Sequence, residues 1–288
     1  MNLNDSRRGV GESLSLRMLS SFQVYRNGER LNGTLVGRAR QLLKILAANN
    51  RKCVPREVLI ETIWPDSDPS TAAISLKVAA HNLRGALDPD KKTGSPGNWV
   101  IAENGTYRLN PEAEVWIDTE VFHELCRVGR RLEASGDLTA ARLKYEEAES
   151  LYAGDYLEED IYEDWTVIRR EQLRDLHLNV LGRLAELACH DGLHADVIRY
   201  CHKIVLADPC REDAYRMLMQ SHGALNQLAR AGAWYAVCRV LLQREVGVTP
   251  SAETTSVFER LFVNPQDEGQ IADYVESQAR PAITSRRG

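Results

Sequence analysis

The sequence lacks several features that mark specialised classes of protein. No apolar run approaches the roughly 18 residues of a membrane span, and no apolar stretch follows the two arginines near the start, so no secretory signal is visible. Aromatic residues make up only 7% of the 288 residues, while 43% are hydrophobic and 27% are charged. This balance is ordinary for a globular chain of about two domains. We expect a cytoplasmic protein without membrane contact.

Motifs of the common catalytic and metal-binding classes are also missing. The six cysteines form no CxxC pair, and a predicted helix end at Asp191-Gly192 separates the histidines that lie near two of them. The chain has no P-loop, Gly-x-Ser-x-Gly or His-Glu-x-x-His motif. The acidic run at 158–164 favours a solvated charged turn over a metal site. We predict no enzyme activity, no catalytic residue, no metal and no cofactor.

The net charge of −5 is distributed unevenly along the chain. Up to Asn110 there are 16 Lys and Arg residues against 10 Asp and Glu, a net charge of +6. From Pro111 onward the balance is 20 against 31, a net charge of −11. A basic amino-terminal half indicates a polyanionic partner. The acidic second half argues against nucleic acid wrapping the whole molecule.

Three Asn-Gly pairs in the basic half mark turns: two of them close predicted β-hairpins, and Asn32-Gly33 is a further turn. Asn27-Gly28 follows an alternation of apolar and polar residues over 14–24, and Asn104-Gly105 lies between two further alternating stretches. An Asn-Gly pair between alternating stretches is the strongest short-range hairpin signal. The sequence therefore predicts a small antiparallel sheet at the start and a second hairpin near residue 105.

Three helical stretches lie between these hairpins. Helical spacing of apolar residues begins at Arg38, a second stretch begins at Pro55, and a third is predicted over 71–87 with Ser70 as its cap. Residues 94–98 are predicted to form a loop. The order sheet, helix, helix, helix, hairpin is that of a winged helix-turn-helix, in which the third helix enters a major groove and the hairpin is the wing.

The outer face of the third helix carries polar and basic side chains. The residues predicted opposite its apolar stripe, or at its flank, are Ser75, Lys77, His81, Asn82, Arg84 and Gly85. Such side chains can hydrogen-bond phosphates or base edges. For an isolated helix a solvated face is the alternative interpretation. The order of elements and the basic half favour DNA.

Helical patterns take over after Asp118. Helices are predicted over residues 118–134, 137–151, 165–190, 194–207, 211–226, 229–245 and 251–262. Similar residues recur 34 positions apart, as at Leu184 and Leu218 and at Tyr200 and Trp234, which is the period of tetratricopeptide helical hairpins. Solenoids of this kind usually bind a protein or peptide.

Sequence blocks from about Leu14 to Leu261 resemble those of a known family. Four blocks resemble an OmpR-type DNA-binding domain: Gly37-Arg-Ala-Arg-Gln-Leu-Leu, Val58-Leu-Ile-Glu-Thr-Ile-Trp-Pro, Leu76-Lys-Val-Ala-Ala-His-Asn-Leu-Arg-Gly-Ala-Leu and Gly105-Thr-Tyr-Arg-Leu. Four more resemble a bacterial transcriptional activation domain: Ile117-Asp-Thr-Glu-Val-Phe, Leu151-Tyr-Ala-Gly-Asp-Tyr-Leu, Glu171-Gln-Leu-Arg-Asp-Leu and Glu245-Val-Gly-Val-Thr-Pro-Ser. This pairing resembles the SARP family, the antibiotic regulatory proteins of actinobacteria.

The resemblance implies a fold that is mainly α with a small β component, a winged helix-turn-helix domain followed by an all-α tetratricopeptide-like domain. It implies a sequence-specific transcriptional activator that binds direct repeats in double-stranded DNA near the −35 region of promoters. Such a protein recruits RNA polymerase holoenzyme with its sigma factor, associates side by side on DNA, and controls secondary-metabolite gene clusters. It would be cytoplasmic and associated with the nucleoid.

The residue pattern and the resemblance together predict three sets of DNA-binding residues; the resemblance itself points to Lys77, His81 and Arg84, to Thr106 and Arg108, and to Arg38 and Arg40. The recognition helix contributes Ser75, Lys77, His81, Asn82 and Arg84. The wing contributes Asn104, Thr106 and Arg108. Phosphate contacts fall to Arg38, Arg40 and Thr71. The chain departs from many relatives at Ala73 and Ile74, where they carry polar residues, and at Asn82, where they carry arginine; Ile74 can contact a thymine methyl group.

The expected domains are a disordered leader over 1–12, the winged-helix domain over 13–112, the activation domain over 113–263 and a disordered tail over 264–288.

Two other functions fit the same residues. A helical-repeat scaffold could use the winged helix for protein contacts, and a repressor could use the same DNA contacts. A steep dependence of DNA affinity on salt would argue against the scaffold, whereas the position of the operator separates a repressor from an activator.

Overall fold

The Asn-Gly pairs of both predicted hairpins close β-hairpins in the computed structural model, which describes residues 13–31, 33–89 and 99–262. Asn27 and Gly28 have φ values of 52° and 83°, and Asn104 and Gly105 have 51° and 75°. Positive φ at both central residues defines the type I′ turn that matches strand twist, as the sequence predicts. The predicted leader, tail and 94–98 loop lie outside the described residues.

The first hairpin belongs to a four-stranded sheet whose outer strand comes from further along the chain. Its strands are β1 (Ser13–Arg17), β2 (Gln23–Arg26), β3 (Glu29–Arg30) and β7 (Glu114–Ile117). The order is β3-β2-β1-β7, with β1 antiparallel to β2 and parallel to β7. Leu14 and Leu16 of β1 are fully buried, which accounts for the alternating pattern.

Three helices and a second sheet complete the winged helix-turn-helix. They are α1 (Gly37–Ala48), α2 (Arg56–Ile63), α3 (Pro69–Leu87), and the strands β4 (Val54–Pro55), β5 (Val100–Glu103) and β6 (Thr106–Leu109) in the order β4-β6-β5. The three helices pack on one another through apolar side chains with at most 1% exposure, namely Leu42, Leu43, Leu46, Leu59, Ile63, Leu76, Leu83 and Leu87.

Two predicted helix starts need correction. The cap of α3 is Asp68 and not Ser70, because Pro69 begins the helix and the Asp68 carboxylate accepts the first free N–H groups. Pro55 precedes α2 as its cap and also pairs in strand β4 with Thr106 of β6. Both elements therefore start one or two residues away from where the sequence pattern places them.

Seven further α-helices follow within the described residues, at the positions that the pattern predicts to within two residues. They are α4 (Asp118–Ala134), α5 (Leu138–Leu151), α6 (Asp164–His190), α7 (His194–Ala207), α8 (Glu212–Ala224), α9 (Leu228–Glu245) and α10 (Ala252–Phe262). The prediction of a mainly α chain with a winged helix followed by an all-helical region is confirmed.

The helical hairpins repeat one turn geometry. At the ends of α4, α6 and α8 a backbone N–H bonds back five residues, from Asp137 to Leu132, from Leu193 to Ala188 and from Gln227 to His222, at 2.8–3.0 Å. The residue before each donor has positive φ: Gly136, Gly192 and Asn226. This is the Schellman helix end. Because Gly192 and Asn226 are 34 residues apart, the repeat predicted from residue types also appears in the backbone.

The described residues form two compact units. The first contains those up to Leu125 together with Ser150–Leu173, and the second contains Cys126–Glu149 together with those from Arg174 onward. In the first unit, segment 156–159 runs beside the start of the chain: the N–H groups of Leu157 and Glu158 bond to the carbonyl oxygens of Met18 and Ser20 at 2.9 and 3.2 Å.

A buried carboxylate fixes the end of β1 to the start of α4. Asp118 is 3% exposed, and its Oδ2 accepts the N–H groups of Met18 and Leu19 at 2.7 and 2.8 Å. Its Oδ1 accepts the N–H of Thr119 at 2.8 Å. Burial outweighs these hydrogen bonds and raises the pKa of Asp118 to about 6.

We predict that Asp118 gives the chain a distinctive pH dependence of stability. A carboxyl group whose pKa is raised in the folded state stabilises the fold at low pH, and this contribution is lost as pH rises through about 6. The free energy of unfolding of the parent should therefore fall relative to that of Asp118→Asn between pH 4 and 7, by up to about 3 kcal/mol. Urea denaturation across this range measures the difference, and parallel pH profiles would contradict the assignment.

Candidate nucleic-acid interface

The start of α3 is fixed by its capping residue. Asp68 Oδ2 accepts the backbone N–H groups of Ser70 and Thr71 at 3.0 and 3.1 Å and the Ser70 hydroxyl at 2.5 Å. The hydrogen bond from the Ser70 side chain holds the pKa of Asp68 below its usual value. Thr71 is exposed in the first turn of the helix. The cap therefore fixes the direction of α3 and leaves the Thr71 side chain at the surface.

The outward face of α3 is centred between Ile74 and Val78. Its buried side includes Ala79 as well as the residues of the predicted apolar stripe. At about 100° per residue, Val78 points away from Leu76 and Leu87, and Ile74 lies about 40° from it. Both aliphatic side chains are exposed, Ile74 by 65% and Val78 by 52%. The sequence analysis left Val78 out, although its position opposite Leu76 and Leu87 at helical spacing is the signal that places it on this face.

The predicted recognition residues divide into exposed and half-buried groups. Lys77, His81 and Asn82 are exposed, and Ser75 is half-buried at the flank. Arg84 is also half-buried, and its Nε donates to the carbonyl oxygen of Val100 in β5 at 3.2 Å. This bond joins the recognition helix to the wing, so the Arg84 side chain has a structural contact that the sequence did not reveal.

The wing is anchored to α2 at its tip. The backbone N–H of Arg56 donates to the carbonyl oxygen of Gly105 at 2.9 Å. The Thr106 hydroxyl donates to the carbonyl oxygen of Glu103, also at 2.9 Å. Asn104 is exposed at the turn, and Arg108 is half-buried on β6. The structure therefore places the three predicted wing residues, Asn104, Thr106 and Arg108, on one hairpin.

The two arginines predicted to bind phosphate have different surroundings. Arg38 is exposed, donates to Gln41 Oε1 at 2.7 Å and lies over the Trp64 ring at 5.8 Å. Arg40 donates to the carbonyl oxygen of Phe22 at 2.7 Å and pairs with Glu159 at 3.0 Å. Its guanidinium is therefore held by contacts within the first unit, whereas that of Arg38 lies at the surface.

The acidic run at 158–164 is not simply a solvated turn, which corrects the expectation from sequence. Buried Lys44 of α1 pairs with Glu159 at 3.0 Å and with Asp160 at 2.5 Å. Although burial opposes it, the hydrogen bond from Lys44 lowers the pKa of Glu159. The signal was a lysine inside the apolar run Leu42-Leu-Lys-Ile-Leu, since a buried ammonium group needs an anionic partner.

The described part of the chain has neither a metal-binding cluster nor a membrane-spanning helix. Across residues 13–31, 33–89 and 99–262 no group of three or more His, Cys, Asp or Glu side chains is arranged to hold a metal ion. Over the same ranges no helix has the length and apolar character needed to cross a membrane.

A capped, outward-facing helix beside a β-hairpin, followed by helical hairpins, defines a class of bacterial transcriptional regulators. The family model described as "Transcriptional regulatory protein, C terminal" matches residues 31–102. The model of the bacterial transcriptional activator domain matches residues 117–262, just over half of the chain. The chain therefore belongs to the bacterial transcriptional activator domain family, in the SARP-type arrangement with an OmpR-type DNA-binding domain. This is a family of regulators and not of enzymes.

Named relatives are similar to this chain along most of its length. Regulatory protein AfsR of Streptomyces coelicolor is 26% identical over 96% of this chain, which spans about a quarter (27%) of AfsR. Regulatory protein DnrI of Streptomyces peucetius is 23% identical over 83% of this chain and 88% of DnrI. A solved structure of Mycobacterium tuberculosis EmbR, in complex with a low-affinity phosphopeptide, has a TM-score of 0.73 at 20% identity, covering 93% of this chain and 69% of EmbR. That likeness shows the fold.

We predict that Lys77 and Arg84 contribute to DNA binding in different ways. Lys77→Ala should leave stability unchanged and reduce the slope of log affinity against log salt by about 1, the effect of one lost phosphate contact. Arg84→Ala should also lower the free energy of unfolding, because it removes the bond to Val100. Fluorescence anisotropy at several salt concentrations, together with urea denaturation, measures both effects. Equal stability losses in the two variants would contradict this division.

We predict that Gly105→Val weakens DNA binding by distorting the wing. The backbone φ of 75° at Gly105 is strained for a β-branched residue, even though the space around Gly105 is open. The matched variant Asn104→Gly tolerates positive φ, so it keeps the turn and removes only the Asn104 side chain. Affinity measurements combined with circular dichroism separate the two effects. If folded Gly105→Val binds DNA like the parent, the hairpin is not a DNA-contacting wing.

Proposed function

We propose that the chain is a sequence-specific DNA-binding transcriptional activator of direct repeats near the −35 region of promoters. In this proposal it binds side by side on the repeats, recruits RNA polymerase holoenzyme through its helical domain, and controls a secondary-metabolite gene cluster. It acts on the nucleoid in the cytoplasm. The observation that carries the proposal is an exposed recognition helix, joined to a wing, in the same chain as a transcriptional activator domain.

The distribution of charge supports separate roles for the two parts. The residues up to Asn110 carry a net charge of +6, which attracts a phosphate backbone. The residues from Pro111 onward carry −11, which would be repelled along a DNA track. Helical hairpins with this charge suit a protein partner better than DNA. We therefore assign sequence-specific DNA binding to the winged helix and the contact with RNA polymerase to the helical domain.

The relatives support the biological role by name only. DnrI and AfsR are designated regulatory proteins of Streptomyces species, and transfer of their role to this chain is part of the proposal. Because this chain spans about a quarter of AfsR, the transfer concerns DNA binding and activation by the shared part.

We predict that the full chain raises transcription from a promoter that carries its selected repeats. Run-off transcription with purified polymerase holoenzyme should increase as the repeats are occupied, and footprints should show the chain and polymerase binding cooperatively. The variant Lys77→Ala should need a higher concentration for the same output, since it changes DNA affinity and leaves the helical domain intact. The full chain is required because truncation at residue 112 would remove β7 and the partners of Lys44.

Three results would contradict the proposal in different ways. Occupied repeats with reduced transcription would indicate a repressor. Occupied repeats with unchanged transcription and no cooperativity would remove polymerase as the partner. Affinity for DNA without sequence preference or salt dependence would favour a helical-repeat scaffold that uses the winged helix for protein contacts.

A further inference from the structure

Two exposed aliphatic side chains occupy the middle of the outward face of α3. Ile74 and Val78 are one helical turn apart and are 65% and 52% exposed. Neither residue belongs to the core, which the same helix supplies through its opposite face. Both residues are β-branched. Such residues lose side-chain freedom in a helix, so their helix propensity is lower than that of Ala or Lys. Neither burial nor helix formation therefore accounts for this pair.

The surroundings of the pair match a DNA major groove. Lys77 and His81 lie on one side of the pair, and Asn82 lies on the other. These side chains supply positive charge and hydrogen-bonding groups. Gly85 continues the exposed stripe, and a Cβ placed there would meet no heavy atom within 4 Å. The face is therefore apolar along its centre and polar at its edges.

Only one base presents a methyl group in the major groove. Thymine carries a 5-methyl group there, and apolar side chains contact it. We propose that Ile74 and Val78 read thymine methyl groups, which makes thymine at two neighbouring positions a determinant of the operator. This inference rests on the proposed DNA-binding function and assigns the base chemistry that the recognition helix selects.

The helix geometry limits how far apart the two thymines lie. A helix rises about 1.5 Å per residue, so the Cα atoms of Ile74 and Val78 are separated by about 6 Å along the axis. Bases on one strand are spaced about 3.4 Å apart. The two contacted methyl groups should therefore fall within about two base pairs of each other, on either strand.

Replacement of thymine by deoxyuridine tests the proposal because it removes the methyl group and keeps the base pair. The full chain is first used to select duplexes from a random-sequence pool. Each thymine of the enriched duplex is then replaced singly by deoxyuridine, and the Kd is measured. We expect two neighbouring replacements to weaken binding by about fourfold each, the effect of one buried CH₂ group, and the others to have little effect.

Protein variants connect each methyl group to its side chain. Each alanine variant, Ile74→Ala or Val78→Ala, should abolish the loss of affinity caused by one of the two deoxyuridine replacements and keep the other. Combining a protein variant with a DNA replacement forms a double-mutant cycle, which measures only the contact between the two changed groups. Ala favours the helix more than either residue does, so the variants should remain folded. The matched control is Val240→Ala on α9, since Val240 is 53% exposed and also helical; it should retain both penalties.

Failure of this inference is distinguishable from failure of the proposed function. If no duplex is enriched over the random pool, sequence-specific DNA binding fails, and the inference fails with it. If a duplex is enriched but no deoxyuridine replacement changes the Kd by more than twofold, the function stands and thymine recognition is wrong. If penalties occur but persist in both alanine variants, other side chains contact the methyl groups and the assignment to Ile74 and Val78 is overturned.

Discussion

The parallel pairing of β1 with β7 is the constraint on which the first unit depends. Strand β7 lies about a hundred residues further along the chain, and it ends immediately before the buried Asp118, which accepts the N–H groups that follow β1. Arg51 adds a hydrogen bond to the carbonyl oxygen of Val115 at 2.6 Å. Strand β7 ends at Ile117, where the activator-domain match begins, and it completes the sheet that contains the amino-terminal strands. A buried acid suits this position because a single carboxylate satisfies three backbone donors.

A second long-range contact links α1 to the acidic turn through Lys44. The charge lies in an apolar environment, so loss of either Glu159 or Asp160 would leave part of it unpaired. Arg40, one turn earlier, shares Glu159. Together with the backbone bonds of Leu157 and Glu158, these contacts explain why Ser150–Leu173 belongs to the same compact unit as the winged helix. The winged helix and the start of the helical region therefore lie in the same compact unit.

The sequence predicts those features whose cause is local. Asn-Gly turns and helical periodicity each depend on residues a few positions apart, and the 34-residue repeat is the recurrence of such local patterns. All three appear in the structure. The contacts that the sequence did not reveal join residues further apart: Glu159 lies 119 residues from Arg40, and Val100 lies 16 residues from Arg84. Helical periodicity alone places Val78 on the outer face of α3, opposite Leu76 and Leu87, whereas its 52% exposure comes from the structure.

The division of α3 into an aliphatic centre and polar edges affects how affinity and specificity arise. Phosphate contacts supply affinity without sequence preference, whereas base contacts supply preference. On this helix Lys77 is an exposed cation at the edge, and Arg84 has part of its hydrogen-bonding capacity committed to the wing. In the proposed function, a recognition helix of this composition would depend less on non-specific attraction to the phosphates than a helix with a basic outer face. A single protomer would then bind one site weakly, and the proposed side-by-side pairing on direct repeats would supply the missing affinity through effective concentration.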